Sequence, residues 1–542
     1  MASPVSQNGS HSIGELIAEH WFDPGNFTKT HFIMVAVAFV LACCIIKIIY
    51  SFRDFGINYV LEPISVFAIG LLFGKMANEF NLELTYFDEM TFFVLLLPPI
   101  IFEAVLHMHK SYFLQHITAI LLFGFLGTLL NFALIGVSLV FVDDYFGVFK
   151  SEGLQITTLG YFLFSCLGSS VDSVIVLGIL GEMRVHPSLY FIFVGESVIN
   201  DGVTLAVFDY VYKVICHPSI HVSETTLEII LVGIFIVSAK IVIASLTGVV
   251  FGVFACIITR FTGHASAIEP LVVISGSYLT YLLNYSLHWP GVFSILLFWL
   301  IQSAYTFQNI TPKSRMTIKR FARMTASISE SLIFLTMGYT LVVHDFEWHT
   351  NFKLISLFLS ILWRFIIVFI LSVFVNKLHS LQNNLSKTTI FVLGFCGLRG
   401  AISHGLTEIV TQECLNNVGI DVNMLRSTSA FLTVFTIIII GTLMKPLLHL
   451  LQMKQENKPT SLFQTLNQQV IWKMCACVDD ILGTKEWGRR SSCVPKLERH
   501  SSQMILKINA IRSREHILGL FWYGCKVGSP IKDPFNCCFS PR

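Results

Sequence analysis

Charge is what this sequence lacks. Only 13% of its 542 residues are Asp, Glu, Lys or Arg, about half the share in a soluble globular domain. So few charges cannot cover a water-facing surface, which excludes a soluble multidomain chain, a disordered chain and a long coiled coil. A formal net charge of +2 leaves no basic footprint for a phosphate backbone, which excludes a nucleic-acid binder. No H-E-x-x-H or G-x-G-D signature is present, so an intramembrane enzyme has no visible catalytic set. No repeated filter loop marks a channel. The thirteen cysteines form no CxxC pairs at zinc spacing. Several (Cys43, Cys44, Cys166, Cys256, Cys396) lie inside apolar runs, where a thiol behaves as a small hydrophobe, so no disulfide framework is expected. The first thirty residues are polar, with no short apolar stretch behind a basic start, and do not read as a cleavable signal peptide.

What the chain has is apolar length: 54% hydrophobic residues and a mean hydropathy of +0.70. A membrane-spanning helix needs about 20 apolar residues. Such runs occur at 31–51, 58–76, 90–108, 116–142, 155–180, 186–214, 226–258, 266–286, 289–307, 326–345, 352–376, 388–411 and 426–452. The expectation is thus an all-α membrane protein of about thirteen spans. Its segments are an N-terminal stretch, 1–30, a membrane domain, 31–452, and a tail, 453–542. The seventh run is long, and the ninth is short and interrupted by Gln302. Odd-numbered loops hold twelve basic residues, including Lys313, Arg315, Lys319, Arg320 and Arg323. Even-numbered loops and adjoining helix ends hold five: Lys75, Lys150, Lys213, Lys353 and Arg426. Basic loops stay in the cytoplasm, so the odd loops and the tail are inside and the N-terminus outside. Sequons at Asn8, Asn26 and Asn284 fall outside; those at Asn309 and Asn384 fall inside and are expected to be silent.

The tail carries fourteen Lys and Arg against seven Asp and Glu. Leu462, Phe463, Leu466, Val470, Ile471 and Met474 recur there at helical spacing. This reads either as an amphipathic helix on the inner membrane surface or as a helix packed under the membrane domain. A second apolar set, beginning at Met504 and Ile505, reads either as a segment that binds a partner helix-in-groove or, like the first, as a helix packed under the membrane domain.

An ionisable residue inside a span costs about 2.5–3.5 kcal/mol on insertion scales, so each one is a functional candidate. The candidates taken here are Asp172 in span five, Glu196 and Asp201 in span six, Glu330 in span ten, Arg364 in span eleven and Arg399 in span twelve. At about 100° per residue, Ser197, Asp201 and Thr204 form one stripe of oxygen groups on span six. Glu196 points elsewhere and needs a cation. A carboxylate among hydroxyls suits a hard cation such as sodium. The alternative, that the acids serve only buried ion pairs, runs short of arginines: two of them leave Asp201 and Glu330 over. Span twelve holds Gly394, Gly397, Gly400 and Gly405, and span five holds Gly160 and Gly168 ahead of Ser169-Ser170-Val171-Asp172. Close helix packing explains single glycines. Matched interruptions in the fifth span of each half point instead to an inverted-repeat transporter with a midplane site.

At these residues the sequence resembles the sodium/proton exchangers of the monovalent cation:proton antiporter superfamily. The matching stretches are Leu97-Pro98-Pro99-Ile100-Ile101-Phe102-Glu103, Val171-Asp172, Phe193 to Asp201 (Phe-Val-Gly-Glu-Ser-Val-Ile-Asn-Asp), Ala326 to Phe334 (Ala-Ser-Ile-Ser-Glu-Ser-Leu-Ile-Phe) and Gly397-Leu398-Arg399-Gly400-Ala401-Ile402. The resemblance covers roughly residues 58–452. It implies an NhaA-like fold with two broken crossing helices, a homodimer in the lipid bilayer, and an elevator motion of a core domain. It implies sodium and protons as cargo, with no cofactor. Asp201 would bind the ion, with Asn200 and Ser197 beside it and Val171 offering a carbonyl. Asp172 would pair with Arg399 across the broken helices, and Glu196 with Arg364. The Asn200-Asp201 pair resembles the electroneutral branch. A calcineurin-B-like protein is the expected partner of the tail.

Three departures from the family stand out. Ser173 replaces the usual proline, His404 replaces an apolar residue, and Val105-Leu106-His107 replaces the usual Gly-Tyr. The short tail and the Ile-Ile-Phe-Glu variant resemble endomembrane members. Asp479-Asp480 and Trp487 resemble plasma-membrane members, and the balance slightly favours the plasma membrane.

Overall fold

In hydrocarbon, every backbone N–H and C=O must find its partner within the protein, and a helix supplies those partners locally. The computed structural model describes residues 62–79, 90–108, 110–172, 187–216, 226–262, 268–343, 348–378, 385–397 and 399–451, with Val176, Ile179, Leu180 and Val185. Among the described residues there are helices and no strand. The first candidate span, Ser173, the sequons at Asn8, Asn26 and Asn384, and the whole tail lie outside them.

In chain order the helices are α1 (Glu62–Glu79), α2 (Leu97–Leu106), α3 (Ile117–Phe146), α4 (Thr158–Ser169), α5 (Pro187–Cys216), α6 (Thr226–Phe261), α7 (Ile268–Ser286), α8 (Gly291–Ile301), α9 (Pro312–Val343), α10 (Thr350–Leu378), α11 (Lys387–Phe395), α12 (Ala401–Glu408) and α13 (Val422–Leu450), with shorter turns between them. Five of these, α3, α5, α6, α10 and α13, are long and apolar enough to cross a membrane. In α5, 94% of the most apolar stretch is buried, against 28% in α6. Helix α5 is therefore enclosed by protein. Helix α6 exposes Leu231, Phe235, Leu246 and Phe254, as a lipid-facing helix does.

Three elements differ from the sequence expectation. The basic stretch from Lys313 to Arg323 is not a loop. Pro312 opens α9 as its first residue, a position that suits its fixed φ, and Lys313, Lys319, Arg320 and Arg323 stay exposed on the new turns. Gln302 does not weaken its span, because its Nε2 donates to the Gly252 carbonyl at 2.9 Å. Cys216, at the end of α5, and Cys414 form a disulfide across 198 positions of sequence, although no disulfide framework was expected. Cys166, Cys256 and Cys396 are free and buried.

The described chain divides into two units. The larger holds the described residues up to Ser245, Tyr281–Leu296 and those from Phe321 onward. Its core is apolar: Phe123 of α3, Phe193 of α5, Phe334 of α9, Val368 of α10, Val392 of α11 and Met444 of α13 belong to one cluster. Within it, α1 crosses α9 at backbone contact. A Cβ on Gly70 would overlap the Leu335 carbonyl, and one on Gly338 would overlap the Phe67 carbonyl. Only glycine lets two helices approach this closely. The smaller unit holds Leu246–Thr280 and Leu297–Arg320. In it, Phe298 packs on Gly252 and Gly276. Buried Glu269 accepts from the Thr311 backbone N–H (3.0 Å) and hydroxyl (3.1 Å), anchoring the start of α9.

Candidate ion-binding site

Helix α4 stops at Ser169, and Ser170 is extended (φ −61°, ψ 133°). A break at membrane depth strands backbone polar groups unless a partner is supplied. Asn200 of α5 supplies it. Its Oδ1 accepts from the Val171 N–H at 2.9 Å, and its Nδ2 donates to the Ser169 carbonyl at 3.2 Å. Nδ2 also donates to Thr128 Oγ1 at 2.7 Å, and that hydroxyl donates to the Gly124 carbonyl at 2.6 Å. Ser197, one turn before Asp201, donates to the Val171 carbonyl at 3.1 Å.

The second break lies between α11 and α12 and contains Arg399, which is 1% exposed. Its backbone N–H donates to Thr436 Oγ1 (3.1 Å), Nη1 to the Ser170 carbonyl (2.8 Å) and Nη2 to the Ser360 carbonyl of α10 (3.1 Å). One guanidinium thus ties the two broken helices to each other and to α10. Asp172, expected opposite Arg399, lies against Gly400 at the N-cap of α12, where a Cβ would overlap its carboxylate. The positive end of the α12 dipole favours a carboxylate at that place.

Glu196 faces away from Asp201, and Arg364 Nη1 lies 2.5 Å from its Oε1. Arg364 Nη2 donates to the Leu393 carbonyl at 3.3 Å. Asp201 is 9% exposed, and its Oδ1 has no hydrogen-bond partner. Buried Thr204, one turn on, has an unpartnered hydroxyl as well. Asp201 lines a cavity of about 30 Å³ together with Asp172, Glu330, Leu97, Ile101 and Phe334. That volume holds one or two waters or a small ion. Of the groups lining it, Asp201 keeps an oxygen without a hydrogen-bond partner. The cavity can therefore be neutralised by a proton or by a small, hard cation with oxygen ligands.

With this geometry in hand, the chain can be placed among known proteins. The family model described as sodium/hydrogen exchanger, transmembrane, matches residues 39–450, a range that contains every residue of the cavity. The chain belongs to the sodium/hydrogen exchanger family. Sodium/hydrogen exchanger 2 of Oryctolagus cuniculus is 33% identical over 375 residues, 68% of this chain and 44% of that protein. Sodium/hydrogen exchanger 4 of Homo sapiens is 32% identical over 401 residues, 73% of this chain and 48% of that protein. Sodium/hydrogen exchanger 3 of Mus musculus is 28% identical over 524 residues, 95% of this chain and 60% of that protein. The chain thus spans about half the length of the curated relatives it matches. The structure of a sodium proton antiporter from Methanocaldococcus jannaschii at pH 8 shares its fold, with a TM-score of 0.54 over 79% of this chain and 100% of that one, at 15% identity.

Within this exchanger family member, the structure brings Val171, Asp172, Ser197, Asn200, Asp201, Glu330 and Arg399 to the two breaks and their cavity, and pairs Glu196 with Arg364, whose side chain lies against Gly397 of the second break. Sequence reading missed Thr128, Thr436 and Ser360, whose hydroxyls and carbonyl anchor the breaks. A single hydroxyl in an apolar run gives no signal, because it can satisfy itself on its own helix. His404, on α12, is buried with Nδ1 unpartnered. His107 bridges helices. Its Nδ1 lies 3.1 Å from the Glu103 carboxylate, and Arg323 of α9 donates to its Nε2 at 2.9 Å.

Proposed function

We propose that this chain exchanges sodium for protons, one for one, at Asp201. The observation that carries the reading is the buried Asp201 oxygen without a hydrogen-bond partner, in a cavity it shares with Asp172 and Glu330. A carboxylate there holds a proton or a sodium ion, not both. Competition for one site gives antiport, provided the empty carrier does not cross. The Ser197 hydroxyl and the Val171 carbonyl, which keeps a second lone pair, are further candidate oxygen ligands. Asn200 does not ionise, so each crossing neutralises a single charge and transport is electroneutral. Potassium is the alternative cargo, since oxygen ligands accept either ion.

The protein works as a membrane-embedded homodimer with an elevator motion of its core. It needs no cofactor and catalyses no covalent chemistry, and it regulates pH in its compartment. The plasma membrane is slightly favoured over the Golgi or endosomal membrane, and a calcineurin-B-like protein is the proposed partner of the tail. In exchanger-deficient cells, the unaltered protein is expected to restore sodium-dependent pH recovery. Asp201→Asn should abolish it at equal delivery to the membrane. Liposomes holding the unaltered protein should show proton flux driven by sodium with no sustained current. Residual sodium-driven flux in Asp201→Asn, or a current that scales with exchange, overturns the reading.

A further inference from the structure

Cys216 ends α5, the helix that carries Asp201. Cys414 lies in the short helix Gln412–Leu415, just after α12, whose N-cap Gly400 lies against Asp172. Their Cα atoms are 4.8 Å apart, inside the window of roughly 4.4–6.8 Å that a disulfide spans. The same two segments are stitched around the bond. The Tyr212 hydroxyl shares a hydrogen bond with Thr411 Oγ1 and accepts from the Thr411 N–H, both at 3.1 Å, and Asn417 Nδ2 donates to the Ile215 carbonyl at 3.3 Å. Counted along the thirteen apolar runs, Cys216 falls in the sixth loop and Cys414 in the twelfth. Both are even loops, on the side poor in Lys and Arg and therefore facing away from the cytoplasm. That is the side on which disulfides persist. Charge asymmetry and cysteine pairing are independent observations, and they agree.

We propose that the Cys216–Cys414 disulfide is a covalent clasp on the exoplasmic face that makes the Asp201 helix and the second broken helix move as one body. Its consequence for exchange rests on the reading of Asp201 above; its existence and its side do not. The bond forms by exchange with a disulfide-bearing oxidant of the secretory compartment. One cysteine thiolate attacks the oxidant's disulfide and releases one oxidant thiol. The second cysteine thiolate then displaces the other oxidant thiol from that mixed disulfide. The protein loses two protons and two electrons, and the oxidant is reduced to its dithiol. The clasp sits fifteen residues beyond Asp201 on one continuous helix, or about 22 Å at helical rise. It therefore acts on the ion site only through the rigidity of α5.

The test uses the full chain in intact cells. Free thiols are blocked with a membrane-impermeant maleimide, and the protein is digested without reductant for mass spectrometry. The expected result is a cross-linked Cys216–Cys414 peptide, opened only when an impermeant reductant is added outside. Reduction should lower the melting midpoint of the unaltered protein by roughly 5–10 °C and slow its exchange. Cys216→Ser, Cys414→Ser and the double variant should all match the reduced protein and ignore reductant. Free thiols at both positions in unreduced protein, labelling only from the cytoplasmic side, or a double variant with twice the loss of either single one overturns the clasp. A loss of stability with unchanged exchange overturns the one-body motion. The same cross-link in Asp201→Asn, where no exchange is expected, separates the clasp from the transport reading.

Discussion

Asn200 and Asp201 are neighbours in sequence with opposite duties. Asn200 uses both ends of its amide to close the α4 break, while Asp201 keeps an oxygen without a partner in the cavity. Changing Asn200 to Asp keeps the acceptor for Val171 but loses the donor to Thr128 and Ser169, leaving two oxygens facing each other at the break. A stranded buried group costs about 1–3 kcal/mol. Asn200→Asp is therefore expected to melt earlier and exchange slowly, without a clean switch to current-generating transport. A variant with unaltered melting and a sodium-driven current would refute this. Glu196 and Arg364 invite a double-mutant cycle. Removing one partner of a buried pair typically costs about 3–5 kcal/mol, so Glu196→Gln and Arg364→Leu should each lower detergent stability strongly, and the double variant by less than their sum. Strict additivity would mean that the two do not couple. The ionisable residues could be read from the sequence because a charge in an apolar run has no cheap structural excuse. Thr128 could not, since its role depends on Asn200, 72 positions away.

Among the elements, the two broken helices differ in how they announce themselves. In span twelve the glycines mark the place: Gly397 lies against the Arg364 side chain and Gly400 against Asp172. In span five, a Cβ on Gly168 would meet only Ile135, at an ordinary van der Waals distance of 3.8 Å, so no close approach there requires glycine. The break falls at the Ser169-Ser170-Val171-Asp172 stretch that the sequence marked, and it is held from outside, by Asn200 and Arg399. Gly400→Ala tests the close approach. A methyl group there must push Asp172 off the α12 N-cap, and a displacement worth 1.4 kcal/mol is already about tenfold in rate. Sodium-dependent proton flux at equal surface delivery is expected to fall at least roughly tenfold. A rate within about twofold of the unaltered protein would show that Asp172 has room to move.

Across the whole molecule, hydropathy reads the membrane class directly, because burial in lipid leaves its mark on every residue of a span. It does not read contacts such as Cys216–Cys414 or Gly70–Gly338, in which small side chains meet across hundreds of positions. The Gly70–Gly338 crossing has a consequence of another kind. Gly338 lies eight residues, just over two turns, beyond Glu330 on α9, at the point where the α1 and α9 backbones touch. Two helices in backbone contact leave no room for a file of water between them. Such a crossing is expected to act as a barrier to passive permeation, and a tight exchanger depends on such barriers as much as on its binding site. Gly338→Val should wedge the helices apart and raise the proton leak of liposomes in the absence of sodium, a rate that a pH-sensitive dye inside them reports. A wall as tight as before would place the permeability barrier elsewhere.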